Sequence, residues 1–159
     1  EIMPSLVGSE MCIRDSAEPV FAAISRGTQW FGEAGNSQKM KLVLNAWLIS
    51  MMQGIAESAQ LAKTLGFTPD QLWSALEGGP LAAPYVKVKL DAIASEQFTP
   101  QMQLAHALKD ARLALSLAEP HTMPGLENIA ELWQQAADAG YAGEDLSAVY
   151  QWLSPSSKA

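Results

Sequence analysis

Apolar positions recur at helical spacing along most of this chain. The longest such stretch runs from about Ser37 to Leu65. Within it Lys41, Asn45, Leu48, Ile49 and Met52 share one face, because residues three and four apart on a helix lie one above the other. Gly35-Asn36 supplies a turn before it, and Gly66 is a natural stop after it. At 1.5 Å per residue such a helix measures about 45 Å, so it is expected to project into a second domain or a second subunit.

Shorter elements flank it. Val20, Phe21 and Ile24 set a short helix over residues 18–25. Gly27 to Gly32 reads as one strand bounded by glycines, and a lone strand needs partners. Thr68-Pro69-Asp70-Gln71 opens a helix, with Thr68 as the cap, Pro69 at the first helical position and Gln71 closing a capping box. Gly78-Gly79-Pro80 ends it. A short amphipathic helix is predicted over Tyr85 to Ala94. Another starts at Thr99-Pro100 and runs to about Ala118. Leu126 to Ala139 is helical up to Gly140, and Asp145 to Leu153 forms the last helix. The polar tail 154–159 is expected to fray. The fold expected is mainly α, a helical bundle around one long central helix. Residues 1–16 show no clean period of 3.6 or 2, and they are set apart as a non-native or disordered leader.

Composition narrows the function. The chain has 159 residues, 48% of them hydrophobic, which is enough for one domain with a core. Charged residues make up only 17%, so much of the surface must be covered by the core or by something else. A net charge of −7, with no run of Lys or Arg, argues against nucleic acid and against an anionic membrane surface. The single cysteine, Cys12, allows no internal disulfide and no cysteine-based zinc site, and His106 and His121 lack metal-ligand spacing. The most apolar run, Leu42 to Ile55, is interrupted by polar residues and too short to span a bilayer. The start of the chain lacks the pattern of a signal peptide, so a cytoplasmic protein is expected.

Lys41 and Asn45 are the candidate chemistry. A lysine on an apolar helix face beside an amide can act as a general acid or base. The competing reading is a solvated surface lysine and a core asparagine bonded to backbone. Lys109-Asp110 is likewise a candidate pair or an ordinary exposed one.

Four stretches in order resemble one family. They are Gly35-Asn36 through Lys41-Leu42-Val43-Leu44-Asn45; Gly54-Ile55-Ala56-Glu57-Ser58-Ala59 leading to Leu65-Gly66; Lys109-Asp110-Ala111-Arg112-Leu113-Ala114; and Met123-Pro124 followed by Gly143-Glu144-Asp145-Leu146-Ser147-Ala148-Val149. From Ala17 to Leu153 the chain resembles the C-terminal half of the β-hydroxyacid dehydrogenases. That group includes 3-hydroxyisobutyrate dehydrogenase, tartronate semialdehyde reductase and the glyoxylate/succinic semialdehyde reductases. The Lys-Leu-X-X-Asn pattern at 41–45 is similar to the reductase branch.

The resemblance implies a helical domain like the C-terminal domain of 6-phosphogluconate dehydrogenase over residues 35–153. Residues 17–34 would be a remnant helix and strand of an upstream Rossmann domain. It implies NAD or NADP as cofactor and a small hydroxy acid or semialdehyde as substrate. It also implies a homodimer or homotetramer built through the long helix. Lys41 would be the proton-transfer residue, with Lys39 as the near competitor. Asn45 and Asp110 would bind substrate, and Lys109 would lie near the nicotinamide. The positive helix N-terminus, an oxidised nicotinamide and Lys109 would push Lys41 toward its neutral form. His106 would stand one turn before Lys109-Asp110, and Met102 would replace an aromatic substrate-lining residue. No Gly-X-Gly-X-X-Gly occurs, so the expectation is a truncated enzyme, inactive by itself. The alternative is a non-catalytic helical oligomerisation or binding module derived from the same family.

Overall fold

The computed structural model describes residues 5–7, 11–24 and 27–154. The chain divides into two compact units, 1–45 and 46–159. The boundary falls within the long helix.

In the first unit, β1 (Ser5–Val7) and β2 (Thr28–Trp30) pair in parallel, with Ser5 opposite Thr28 and Val7 opposite Trp30. The connecting α1 (Met11–Ile24) contains Pro19. Proline is most at home in a first helical turn, which favours a start near residue 18, yet the helix runs through it. The strand predicted at 27–32 is therefore not alone. Its partner and the first turns of α1 come from the leader set apart above. Trp30 fastens this unit, donating from Nε1 to a Glu18 carboxylate oxygen at 2.9 Å and meeting the Phe21 ring edge-on at 6.2 Å.

The long helix, α2 (Asn36–Thr64), has the predicted extent. Its buried positions, Ile49, Met52, Gln53, Ile55, Ala56, Ala59 and Ala62, follow one helical face. Gly66 ends it at φ 86°, with Phe67 N–H donating to the Ala62 carbonyl and Gly66 N–H to the Lys63 carbonyl. Those two bonds satisfy carbonyls that the helix end would leave open.

α3 (Pro69–Leu76) begins as its sequence requires. Thr68 accepts from Gln71 N–H, and the Gln71 side chain accepts from Thr68 N–H. α4 (Pro84–Ser95), α5 (Leu104–Leu117), α6 (Pro124–Asp138) and α7 (Val149–Trp152) complete the second unit. Their apolar faces close one core, centred on the fully buried Ile49, Met52, Leu104, Trp133 and Val149. The fold is thus a mainly helical bundle around α2. Past Ser154, the tail expected to fray lies outside the described residues.

Two further helix starts differ from expectation. The helix predicted from Thr99 begins only at Leu104. The backbone from Phe98 to Leu104 is taken up by residues 144–146 instead. Asp145 N–H donates to the Phe98 carbonyl, Leu104 N–H to the Glu144 carbonyl and Leu146 N–H to the Met102 carbonyl. The last helix, predicted from Asp145, opens as a 3₁₀ turn (Leu146–Ala148) before α7, with Asp145 capping it through Ser147 N–H at 3.0 Å.

Asp145 is the hub of that region. Its carboxylate is 2% exposed and pairs with the equally buried Lys89 Nζ at 2.8 Å. It also accepts from Gln101 N–H at 3.0 Å, Met102 N–H at 3.4 Å and the Ser147 hydroxyl at 2.6 Å. A buried charge survives only with such partners. Burial pushes the carboxyl up, but the bonds from Lys89 and Ser147 outweigh it and hold Asp145 below its ordinary value. The signal for this pair was in the sequence: Lys89 occupies an inward position of the stripe Val86, Lys89, Leu90, Ile93.

The Tyr85 ring lies 5.4 Å from Lys89 Nζ. Among the described residues its hydroxyl is buried with no hydrogen-bond partner. Burial first, and the Asp145 charge second, push its ionisation well above the ordinary range.

Asp145→Asn leaves Lys89 buried without its counter-charge and is expected to cost about 3–5 kcal/mol in urea unfolding at pH 7. Because the folded-state pKa of Asp145 is depressed, its contribution is present above about pH 4 and is lost as pH falls through the folded value, so the gap between the two proteins narrows in acid. Tyr85→Phe removes an unsatisfied hydroxyl and is expected to be neutral or stabilising by about 1 kcal/mol. Above about pH 10 the unfolded chain releases the Tyr85 proton and the folded chain does not, so stability falls with rising pH; the phenylalanine variant declines less steeply in the same titration.

Candidate active site

One group of candidate residues sits at the start of α2. Gly35, at φ 93°, turns the chain into the helix, and its carbonyl accepts from Gln38 and Lys39 N–H. Asn36 reaches back to the Phe31 carbonyl at 3.0 Å and accepts from Lys39 Nζ at 3.4 Å. Lys39 is thereby engaged with the turn itself. Lys41 lies just beyond and Asn45 one turn further on, the spacing that puts both on one face.

Burial changes along that face. Lys41 is exposed and Asn45 half-buried, while Ile49 and Met52 are completely buried. The stripe that anchors α2 in the core thus emerges at its N-terminal end as an amine and an amide. The sequence suggested a lysine pressed against an apolar surface, but Lys41 stands in the open because the apolar core begins about two turns further along.

A separate group of candidate residues lies on α5. Leu104, Ala107, Leu108 and Ala111 face the core, and Asp110 is buried with them. Lys109, next in sequence, points outward, 70% exposed at its side chain, with Nζ 3.6 Å from an Asp110 carboxylate oxygen. A solvated amine tethered by a buried carboxylate is oriented without being neutralised by direct hydrogen bonding. Lys109 borders a groove of about 410 Å³ that also carries Arg112, Gln134 and Asp138. Arg112 donates to Gln134 at 2.6 Å, and Gln134 donates to Asp138 at 2.6 Å. His106 is exposed and Met102 half-buried.

Lys41 and Asn45 belong to the first unit and Lys109 and Asp110 to the second, and each pair is a local arrangement. Among the described residues, no group of His, Cys, Asp and Glu forms a metal-binding cluster. No helix there is long and apolar enough to cross a membrane.

Comparison with known proteins agrees with this architecture. Residues 35–153 match the family described as NAD-binding of NADP-dependent 3-hydroxyisobutyrate dehydrogenase. The cytokine-like nuclear factor N-PAC of Aedes aegypti is 35% identical over 147 residues, covering 91% of this chain and 26% of that protein. Glyoxylate/succinic semialdehyde reductase 1 of Arabidopsis thaliana is 30% identical over 148 residues, covering 92% of this chain and 51% of the reductase. The chain therefore spans about half, or less, of the length of these relatives. The crystal structure of 3-hydroxyisobutyrate dehydrogenase from Salmonella typhimurium superimposes with a TM-score of 0.79 at 18% identity, over 91% of this chain and 52% of that one, which establishes the shared fold. The chain belongs to the β-hydroxyacid dehydrogenase family, whose cofactor is NAD or NADP.

Proposed function

We propose that this chain is the helical, substrate-side part of an NAD(P)-dependent oxidoreductase that interconverts a small hydroxy acid and its semialdehyde or keto form. The observation that carries the reading is the open end of the α2 stripe, where Lys41 and Asn45 continue a face that is otherwise buried. An amine and an amide at the exposed end of a core stripe are held by a rigid element, as proton transfer requires.

In the direction of reduction, Lys41 Nζ gives a proton to the carbonyl oxygen as that oxygen gains charge. In oxidation it takes the proton from the substrate hydroxyl. Asn45 offers donors and an acceptor to a substrate oxygen without adding charge. Asp110 is proposed to bind substrate and Lys109 the cofactor. NAD(P), when bound, supplies or accepts the hydride, and an upstream dinucleotide-binding domain contributes most of its site. The shares of the relatives that the chain covers support this division. By itself the chain is inactive. It assembles as a homodimer or homotetramer through α2, a reading supported by the exposed apolar side chains on that helix.

The match to a nuclear factor at 35% identity favours one alternative, a non-catalytic helical oligomerisation or binding module. Joining the chain to the dinucleotide-binding domain of a semialdehyde reductase and following NAD(P)H oxidation with small semialdehydes separates the two. The enzyme reading expects turnover that falls by about 10²–10⁴-fold in Lys41→Ala and survives Lys39→Ala. Unchanged turnover in Lys41→Ala would refute the lysine assignment, and no turnover with any small semialdehyde favours the module. For the isolated chain, calorimetry is expected to detect no NAD(P) binding; tight binding would contradict the division of the cofactor site.

A further inference from the structure

Within the second unit, the two carboxylate oxygens of Asp145 have different partners. Oδ1 takes Lys89 Nζ at 2.8 Å, Ser147 N–H at 3.0 Å and the Ser147 hydroxyl at 2.6 Å. Oδ2 takes the N–H groups of Gln101 at 3.0 Å and Met102 at 3.4 Å. One oxygen seats the carboxylate in the bundle. The other grips the segment that leads into α5.

That segment is held against its own preference. Thr99 is a helix cap and Pro100 a first helical residue, while Gln101, Met102 and Gln103 bring no glycine and no β-branched side chain. A helix started there would give α5 about one extra turn. Its first bond would run from Gln103 N–H to the Thr99 carbonyl. The structure does not make that bond. Gln103 lies opposite Asp145 in an isolated antiparallel bridge, at φ −64° and ψ 142°, and among the described residues its N–H meets no acceptor. The bonds of the bridge belong to its neighbours, Leu104 N–H to the Glu144 carbonyl at 2.9 Å and Leu146 N–H to the Met102 carbonyl at 3.0 Å.

The grip is tied to α4. Lys89 Nζ supplies the counter-charge that lets Asp145 stay buried, and it also stands 3.4 Å from the Gln101 side-chain oxygen. Winding the extra turn would shorten the reach of the chain, because a helix advances about half as far per residue as extended backbone. The slack would come from the stretch after Ser95, where Phe98 is buried.

We infer that α5 has two competing starts and that Asp145, seated by Lys89, selects the later one. Oδ2 holds residues 99–103 unwound, and loss of that grip winds α5 back to Pro100. The start of the helix that carries Lys109 and Asp110 is thereby coupled to the seating of α4. This device stands on the fold of the second unit and is independent of the enzyme reading.

Amide exchange and Cα chemical shifts, read by NMR on the 159-residue chain, test it. Lys89→Met/Asp145→Ala removes the grip and its counter-charge together. In that double variant Gln103 N–H is expected to exchange more slowly than in the unaltered chain, Leu146 N–H faster, and the Cα shifts of residues 100–103 to move to helical values. General loosening would speed both amides, so opposite directions mark winding. Adding Gln103→Pro is expected to reverse the change. Proline suits φ −64° and an idle N–H, but it deletes the first bond of the longer helix and bars Met102 from helical backbone. A folded double variant in which Gln103 exchanges no more slowly, or in which Gln103→Pro leaves residues 100–102 helical, overturns the inference. Gln103→Pro alone is expected to leave the thermal midpoint unchanged or raised. A lowered midpoint overturns the inference as well, and that arm stands whether or not the double variant folds.

Discussion

The buried carboxylate of Asp145 organises the second unit. A charge with almost no contact with water must be fully paired, and Asp145 draws its partners from three places: Lys89 on α4, the N–H groups of Gln101 and Met102, and Ser147 within the turn that Asp145 caps. The segment 98–103 cannot then coil into a helix, because its backbone is committed to residues 144–146. α5 starts where that commitment ends. Its register follows, and with it the placement of Asp110 inward and Lys109 outward. The geometry of the candidate residues on α5 is therefore inherited from an ion pair elsewhere in the second unit.

α2 works on separate faces. One is buried over several turns, down to the fully buried Ile49 and Met52, and opens at Lys41 and Asn45. The other carries Trp47, Gly54 and Leu61 outward.

Much of this was legible along the chain. The extent of α2, the capping box at Thr68 and Gln71 and the stop at Gly66 follow from local chemistry, and each was satisfied by atoms within a few residues. Lys41 and Asn45 could be placed on one face by counting. The start of α5 was misread because Pro100 sends an ordinary helix-opening signal, which here lost to hydrogen bonds between residues more than 40 apart, whereas Asp145 does cap the final segment, which opens as a 3₁₀ turn before α7. Lys89 stood on an apolar stripe, a detectable anomaly, but its partner 56 residues away was not.

By itself the sequence determined what depends on neighbours in the chain: helical periodicity, caps, stops, charge, and the order of stretches that marks the family. The tertiary structure decided which polar groups are buried, which carboxylate anchors which segment, and which face of α2 stays open. Burial is a property of surfaces brought together from distant positions. The cost of burying a charge, set against the hydrogen bonds available at that place in space, decided those outcomes.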